Sequence, residues 1–264
     1  MRLAEQAKKV ALVTGLYRPI RSLIGSKQTK LARAKMGEFI SSLLPNGSLV
    51  FDIGAHIGSF SEVYAQVGCH VVAVEPNPAS AQHLRLVTDG LSVRVLEAAV
   101  GAECGLATLH IADKVGAGAT STLSEAFIAR MEEWDERYKG NWRQQLVVPI
   151  ITLDSLIARF GEPAYVKIDV EGYEMDVLRG LSSQPRLLSF EFHNAELDAA
   201  YACLDRFTED SEFNFITNPA WGYHQRFDLG KWLSRETLKN ELSALTNGNV
   251  EGDIFVRKDG AVSN

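Results

Sequence analysis

The stretch of sequence that decides the fold is VFDIGAHIG, at residues 50–58. A short apolar run ends in an acid, and two glycines four positions apart follow it. Gly54 lets the backbone turn tightly, and Gly58 lets a helix start close to the strand before it. The pattern therefore predicts a β-strand, a glycine turn and a helix, the unit with which many nucleotide-binding α/β domains begin.

Outward from this unit, apolar runs typical of strands alternate with amphipathic stretches typical of helices. We predict strands at residues 49–52, 70–75, 93–100, 165–169, 187–193, 213–217 and 253–257, with a short extra strand at 107–111. Helices are predicted through residues 60–67 and at 78–87, 154–160, 173–181 and 196–211. This alternation predicts an α/β fold with a mostly parallel seven-stranded sheet and helices on both of its faces.

An acidic residue, Glu75, follows the glycine turn at the sequence offset that is typical of nucleoside-binding sites. Glu75 stands 21 residues after Gly54, at the end of the second predicted strand, where a carboxylate can accept hydrogen bonds from two ribose hydroxyls. Asp52 and Glu75 both bring negative charge, so a nucleoside with a cationic sulfonium suits the site better than a pyrophosphate. The G-x-x-x-G spacing, with His56 where a nicotinamide motif has glycine, also argues against NAD. A glycine turn without a ligand is the alternative for the two glycines alone.

A second group of ionisable residues lies in VKIDVEG, at residues 166–172. The two-residue period of a strand places Lys167 and Asp169 on one side, with Glu171 just past the strand end. Glu191 and His193 end the next predicted strand. Ligands of open α/β sheets bind outside the carboxyl ends of the strands, so these side chains should converge on one crevice. The convergence favours an enzyme over a binding module.

Five blocks in this order resemble the FkbM-type methyltransferases: VFDIGAHIG at 50–58, VEPNP at 74–78, TLDSL at 152–156, VKIDVEGYE at 166–174 and EFH at 191–193. The resemblance covers about residues 48–195. It implies a Rossmann-like class I methyltransferase, S-adenosylmethionine (SAM) as cofactor, and O-methylation of a sugar, glycolipid or polyketide-type hydroxyl. His56 departs from the family, which usually has Asn there. We assign to the cofactor site Asp52, Gly54, Ala55, His56, Gly58, Glu75, Pro76, Asn77 and Ala98.

Methyl transfer to a hydroxyl requires in-line attack and removal of the hydroxyl proton. Asp169 and His193 are the candidate bases, Lys167 would keep a carboxylate ionised or contact the substrate, and Glu171 completes the catalytic set. Alternatively, Asp169, Glu191 and His193 could hold a divalent cation such as Mg²⁺, which would lower the pKa of the substrate hydroxyl. Each residue also has a structural alternative: His193 as a hydrogen-bonded strand end, and Glu171 as a helix cap.

We predict a basic helical N-terminal arm at residues 1–46 and a methyltransferase domain at 47–264, with a lid-like insertion at about 112–148. Residues 1–36 hold nine Lys or Arg against one acid, a net charge of +8. The whole chain carries −6, so the remainder carries −14. This negative charge on the rest of the chain disfavours nucleic acid as a partner, because phosphate groups bind basic surfaces. The arm could contact an anionic substrate, a membrane face or an acidic partner, or it could pack on its own acidic body.

Two flexible or aromatic stretches complete the predicted site. GAGATST at residues 116–122 favours a hinge, and WGYH at 221–224 is a candidate wall of the acceptor pocket. The three cysteines form no C-x-x-C pair, and no apolar run reaches the ~18 residues that span a bilayer, so we expect a cytoplasmic protein. The alternatives to O-methylation are N-methylation, carboxylate methylation, or a non-catalytic nucleoside-binding or scaffold module.

Overall fold

The computed structural model of the chain describes residues 26–112, 120–134, 136, 138–217, 223–246 and 250–258. Within them the strands are β1 (Leu49–Ile53), β2 (His70–Val74), β3 (Val93–Leu96), β4 (Ala99–Val100), β5 (Gly105–Ile111), β6 (Ser121–Thr122), β7 (Gln144–Ile151), β8 (Tyr165–Ile168), β9 (Leu187–His193), β10 (Ser211–Thr217) and β11 (Glu251–Lys258). The helices are α1 (Lys27–Leu43), α2 (Ser59–Gln66), α3 (Pro78–Val87), α4 (Glu125–Trp134), α5 (Leu153–Phe160), α6 (Glu174–Arg179), α7 (Leu197–Leu204) and α8 (Arg235–Ser243).

Local sequence signals explain where the helices next to the site begin. Asn77 accepts a hydrogen bond from the Ala79 N–H at 3.0 Å, and Pro78 occupies the first position of α3, where a missing N–H has no cost. Thr152 and Ser155 form a reciprocal capping box at the start of α5. Each of these helices therefore starts within a few residues of the strand before it: α3 follows β2, and α5 follows β7.

The main sheet has the strand order β3-β2-β1-β8-β9-β11-β10. All neighbouring strands are parallel except β11, which runs antiparallel to β9 and to β10. The predicted Rossmann-like α/β fold with a seven-stranded, mostly parallel sheet is confirmed, and the sheet is mixed because of β11. The order reverses at β1, so the crevice between β1 and β8 is the topological switch point at which such sheets bind ligands.

Two apolar clusters cover the two faces of the sheet. One joins the sheet to α1, α2 and α3 and includes Val50, and the other joins it to α5, α6, α7 and α8 and includes Phe51. Neighbouring residues of β1 thus point to opposite clusters, as the strand period requires. Helices on both faces leave the carboxyl ends of the strands as the open edge.

A second sheet has the order β4-β7-β5-β6. β6 and the start of β7 lie in the predicted insertion, whereas β4 and β5 precede it. The single strand predicted at residues 93–100 is wrong: β3 ends at Leu96, and Ala99–Val100 pairs with β7 instead. The pattern of apolar residues does not show when a strand changes its partner, so nothing at residues 97–98 predicted the break between β3 and β4. The sequence prediction also lacked β7, which contains Pro149. That proline is tolerated because β4 pairs only with Ile150 and Ile151, leaving one edge of β7 open beside it.

Two further predicted boundaries change in the C-terminal half. The helix predicted at 196–211 ends at Leu204, and α8 was not predicted, although Ser234 caps it by accepting a hydrogen bond from the Thr237 N–H. Residues 1–25 of the predicted arm lie outside the described residues. The described part of the arm contains α1, which packs on α2, where Arg33 forms a 2.7 Å ion pair with the buried Glu62. In the described part of the chain, no helix has both the length and the apolar character that crossing a membrane requires.

Candidate active site

The loop after β1 packs the glycine motif tightly against two neighbouring segments. Gly54 has a φ of +79°, and a Cβ there would overlap the carbonyl oxygen of Asp169. Gly58 has a φ of +83°, and a Cβ there would overlap the side chain of Leu84 in α3. His56, between them, has a left-handed φ of 48°, which costs a non-glycine residue about 1–2 kcal/mol. Both glycines are therefore required by close approach, and the surrounding structure holds His56 in its unusual conformation.

Glu75 presents a fixed pair of acceptor atoms at the end of β2. Its Oε2 accepts a hydrogen bond from the His56 N–H at 2.8 Å, and its Oε1 accepts one from the Asn77 N–H at 2.9 Å. Burial raises the pKa of Glu75 to about 7, although both backbone donors favour the ionised form. Each oxygen keeps a further lone pair for a ligand. This arrangement suits the two neighbouring hydroxyls of a ribose.

A cavity of about 310 Å³ opens between the glycine turn, the end of β2 and the segment after β8. Seven of the predicted site residues line it: Gly54, His56, Glu75, Pro76, Ala98, Asp169 and Glu171. Besides His193, which lies in a neighbouring cavity, five predicted site residues do not line it: Asp52, Ala55, Gly58, Asn77 and Lys167. These five support the wall from behind. The Asp52 carboxylate, for example, accepts a hydrogen bond from the Ser61 hydroxyl at 2.5 Å.

Lys167 is a buried cation behind the cavity wall. Its Nζ lies 2.6 Å from Oδ2 of Asp169 and 4.5 Å from the centre of the Phe60 ring. Burial alone would lower the pKa of Lys167, but the carboxylates of Asp169, Asp253 and Asp52 outweigh it and raise that pKa above its ordinary value. Lys167 therefore stays charged at neutral pH, and its ammonium group pairs with the Asp169 carboxylate.

Glu171 enters the cavity from a left-handed turn. It has a φ of 56°, and Gly172 after it has a φ of +87°. Its carboxyl group makes no hydrogen bond or ion pair with the described residues. Burial first, and then the charges of Asp169 and Glu174, raise the pKa of Glu171 to about 8, although Lys167 acts to lower it. A carboxylate of that basicity can take a proton near neutral pH.

The two predicted residues at the end of β9 line a different, neighbouring cavity of about 190 Å³. His193 and Glu191 lie there, and the segment 172–175 contributes to it. Burial lowers the pKa of His193, whose Nε2 lies 4.0 Å from Oε2 of Glu251. The structure does not bring Asp169, Glu191 and His193 together as a metal site. Within the described residues, no three His, Cys, Asp or Glu side chains form a group that could hold a metal ion.

Several residues that line the larger cavity were not predicted as site residues, among them Ser121, Thr122 and Tyr173. Ser121 and Thr122 come from β6, and Tyr173 precedes α6. The Asn77 Nδ2 donates to Ser121 Oγ at 3.1 Å, which ties the insertion to the segment beside Glu75. Tyr173 lies inside the quoted block VKIDVEGYE, so a signal for it was present. Ser121 and Thr122 end the stretch GAGATST, which was predicted as a hinge; only their partners in the fold place them in the cavity wall.

Parts of two predicted stretches lie outside the described residues: 116–119 of the hinge, and 221–222 of the aromatic stretch. Tyr223 and His224 are buried, with ring centres 5.9 and 5.0 Å from that of Phe60. The Nε2 of His224 lies 2.6 Å from Oδ2 of Asp253. Neither residue lines the larger cavity, so the predicted acceptor wall is not formed by these two side chains.

Comparison with known proteins gives a family match and several similar folds. The model of the methyltransferase FkbM domain matches residues 52–218. No curated protein matches the chain. Similar solved structures include a precorrin-6y C5,15-methyltransferase from Geobacter metallireducens, with 14% identity, a TM-score of 0.42, and coverage of 86% of this chain and 87% of that one. Another is a TehB-like SAM-dependent methyltransferase from Corynebacterium glutamicum, with 8% identity, a TM-score of 0.43, and coverage of 97% and 100%.

Proposed function

Because the chain belongs to the FkbM methyltransferase family and is a SAM-dependent methyltransferase, we propose that it methylates a hydroxyl oxygen. The acceptor would be a small organic molecule of the sugar, glycolipid or polyketide type. One observation supports this reaction above others: the free carboxyl of Glu171 lies in the same cavity as Glu75, on the other side of the β1 loop. One acid can thus bind the nucleoside while the second acts on the acceptor.

The residues of the cavity fit SAM. Glu75 offers two fixed acceptors for a ribose, and the carboxyl groups of Asp169 and Glu171 supply negative charge for a sulfonium. SAM, when bound, supplies an electrophilic methyl group. Glu171 would accept the hydroxyl proton of the acceptor, and the Lys167–Asp169 pair would keep a fixed carboxylate beside the reacting atoms. The His56 backbone N–H holds Glu75 in place during binding.

The acids of the cavity also weigh against one alternative. A carboxylate acceptor would have to approach Asp169 and Glu171, and like charges repel at close range.

Analysis of the labelled product distinguishes O-methylation from N-methylation. Protein incubated with methyl-labelled SAM and a panel of sugars, amines and carboxylic acids should yield an O–CH₃ ether that resists mild base. An N–CH₃ product would move the reaction to nitrogen, and absence of any labelled product with tight SAM binding would favour a scaffold module.

Affinity for SAM should depend on pH through Glu75. The pKa of Glu75 is raised to about 7, and ribose hydroxyls bind its ionised form, so affinity is lost as pH falls through 7. We expect the Kd to rise about tenfold for each pH unit below that value. Calorimetry between pH 5.5 and 8 measures the profile, with proton release on binding visible in buffers of different ionisation enthalpy.

The matched variant for that profile is Glu75→Gln, which should weaken SAM binding by about 1.5–3 kcal/mol, or roughly 10–150-fold. It should also flatten the dependence of affinity on pH. Glu103→Gln, a charge loss at an exposed residue outside the cavity, should change neither. A steep pH profile that persists in Glu75→Gln would show that another group binds the ribose.

A further inference from the structure

The turn that carries Glu171 into the cavity is held by the insertion. The Thr122 hydroxyl donates a 2.7 Å hydrogen bond to the carbonyl oxygen of Glu171. Gly172, the next residue, lies so close to Phe127 of α4 that a Cβ there would be 2.8 Å from the Phe127 Cβ. Left-handed residues other than glycine persist only where their surroundings fix them. These two contacts from the insertion fix this turn.

Thr122 is itself firmly anchored. It is 1% exposed, and β6, at the edge of the second sheet, pairs it with His110 of β5. Its Oγ1 also accepts a hydrogen bond from the Ser124 N–H at 2.9 Å, and Ser124 Oγ accepts one from the Phe127 N–H at 3.1 Å. The hydroxyl is therefore oriented from one side by the start of α4 and donates on the other side to the turn.

We propose that Thr122 is a positioning residue for methyl transfer, whose hydroxyl fixes the Glu171 carbonyl and so keeps the Glu171 carboxyl in the cavity. The inference rests on the proposed function for the role of Glu171 as base. Thr122 would act through the Glu171 backbone, to which its hydroxyl donates. On the opposite side, Glu174 Oε1 accepts hydrogen bonds from the Val170 and Gly172 N–H groups at 3.3 and 3.1 Å, so the turn has one polar support from each side.

Without the Thr122 hydroxyl, the left-handed turn loses its support on the insertion side and relaxes, which moves the carboxyl toward solvent. The charged groups that face Glu171 come from several elements: Asp169 and Lys167 from the β8 segment, Glu174 from α6, Glu191 from β9, Glu251 from β11 and Arg130 from α4. None of them is altered by a change at Thr122. A shift in the titration of Glu171 therefore reports on its position.

The test compares Thr122→Val, which removes only the hydroxyl, with Thr122→Ser, which keeps it. Protein labelled with ¹³C at glutamate carboxyls is titrated by NMR, and Glu171→Gln identifies the Glu171 signal. We expect the pKa of Glu171 to fall from about 8 by at least about one pH unit in Thr122→Val and to stay in place in Thr122→Ser. Under the same conditions kcat should fall about tenfold to a hundredfold in Thr122→Val only, with the Kd for SAM within about threefold.

The two readouts separate the inference from the function on which it rests. An unchanged Glu171 titration in Thr122→Val would overturn the positioning role, whatever the activity. A shifted titration without any methyl transfer by the wild-type protein would retain the positioning and reject the proposed reaction. If Thr122→Val does not fold, Thr122→Cys, with a weaker donor of similar size, is titrated instead. A lower pKa of Glu171 in that variant supports the positioning role, and an unchanged pKa rejects it.

Discussion

A Glu171→Gln variant should fold, bind SAM and lose most of its turnover, with kcat lower by about 10²–10⁴-fold. The glutamine side chain has the same shape but cannot accept the acceptor's proton. Asp169 is paired with Lys167, and His193 lies in the neighbouring cavity. Glu171 lines the larger cavity, and its carboxyl has no hydrogen bond or ion pair with the described residues. Single-turnover kinetics with labelled SAM measure the loss of rate in the methyl-transfer step itself.

The pH profile of the wild-type enzyme should carry the signature of the same group. Glu171 must be ionised to act as a base, so kcat/KM for the acceptor should rise with pH until the pKa of Glu171 is passed. That pKa is about 8 in the free protein, and the positive sulfonium of bound SAM lowers it. The rise of kcat/KM with pH should therefore occur below pH 8, and it should be absent in Glu171→Gln.

The control is Glu162→Gln, at an exposed residue away from the cavity, which should leave kcat unchanged. Full turnover in Glu171→Gln would remove Glu171 from the chemistry. A large loss in His193→Ala, in place of Glu171→Gln, would instead show that the acceptor extends into the neighbouring cavity.

The glycine turn, the position of Glu75 and the strands of the main sheet could be predicted because their signals lie in short segments of sequence. Gly54 and Gly58 signal close approach because no other residue tolerates their φ and contacts, and the offset to Glu75 places an acid at the end of the next strand. The alternation of apolar runs likewise gives the seven-stranded sheet, because periodicity is a property of each segment alone.

What the sequence did not reveal depends on partners far away in the chain. β4 and β7 form one sheet although some 44 residues separate them, and nothing local to either indicates it. The same holds for Thr122, which meets Glu171 from 49 residues away. His193 illustrates a different limit. Its position at a strand end predicts the common crevice, whereas the structure places it in a neighbouring cavity, to which Gly172, Glu174 and Met175 contribute.

Replacing Lys167 by Met should give the largest loss of stability, a fall of about 3–5 kcal/mol in the free energy of unfolding. Methionine fills a similar apolar volume, so packing is largely kept. The change removes the cation that faces the carboxylates of Asp52, Asp169 and Asp253. Asp52 and Asp253 are almost fully buried, and the loss of a facing cation from carboxylates in such surroundings is strongly unfavourable. Because domains are stable by only about 5–15 kcal/mol, the variant should be near its unfolding threshold. Urea denaturation followed by circular dichroism measures the change.

The pH dependence of that loss distinguishes charge from packing. Lys167 acts to lower the pKa values of Asp52 and Asp253, so both rise in the folded protein when it is removed. Protonation of these two carboxyls then favours the folded state, and the penalty is lost as pH falls through the raised values. The difference in unfolding free energy between wild type and Lys167→Met should thus be smaller at pH 5 than at pH 8. Lys239→Met supplies the control, since Lys239 pairs with the exposed Asp205 at 2.8 Å, and such a surface pair is worth at most about 1 kcal/mol. An equal loss for Lys167→Met at both pH values would assign the role of Lys167 to the contact of its side chain with Phe60, because packing does not titrate.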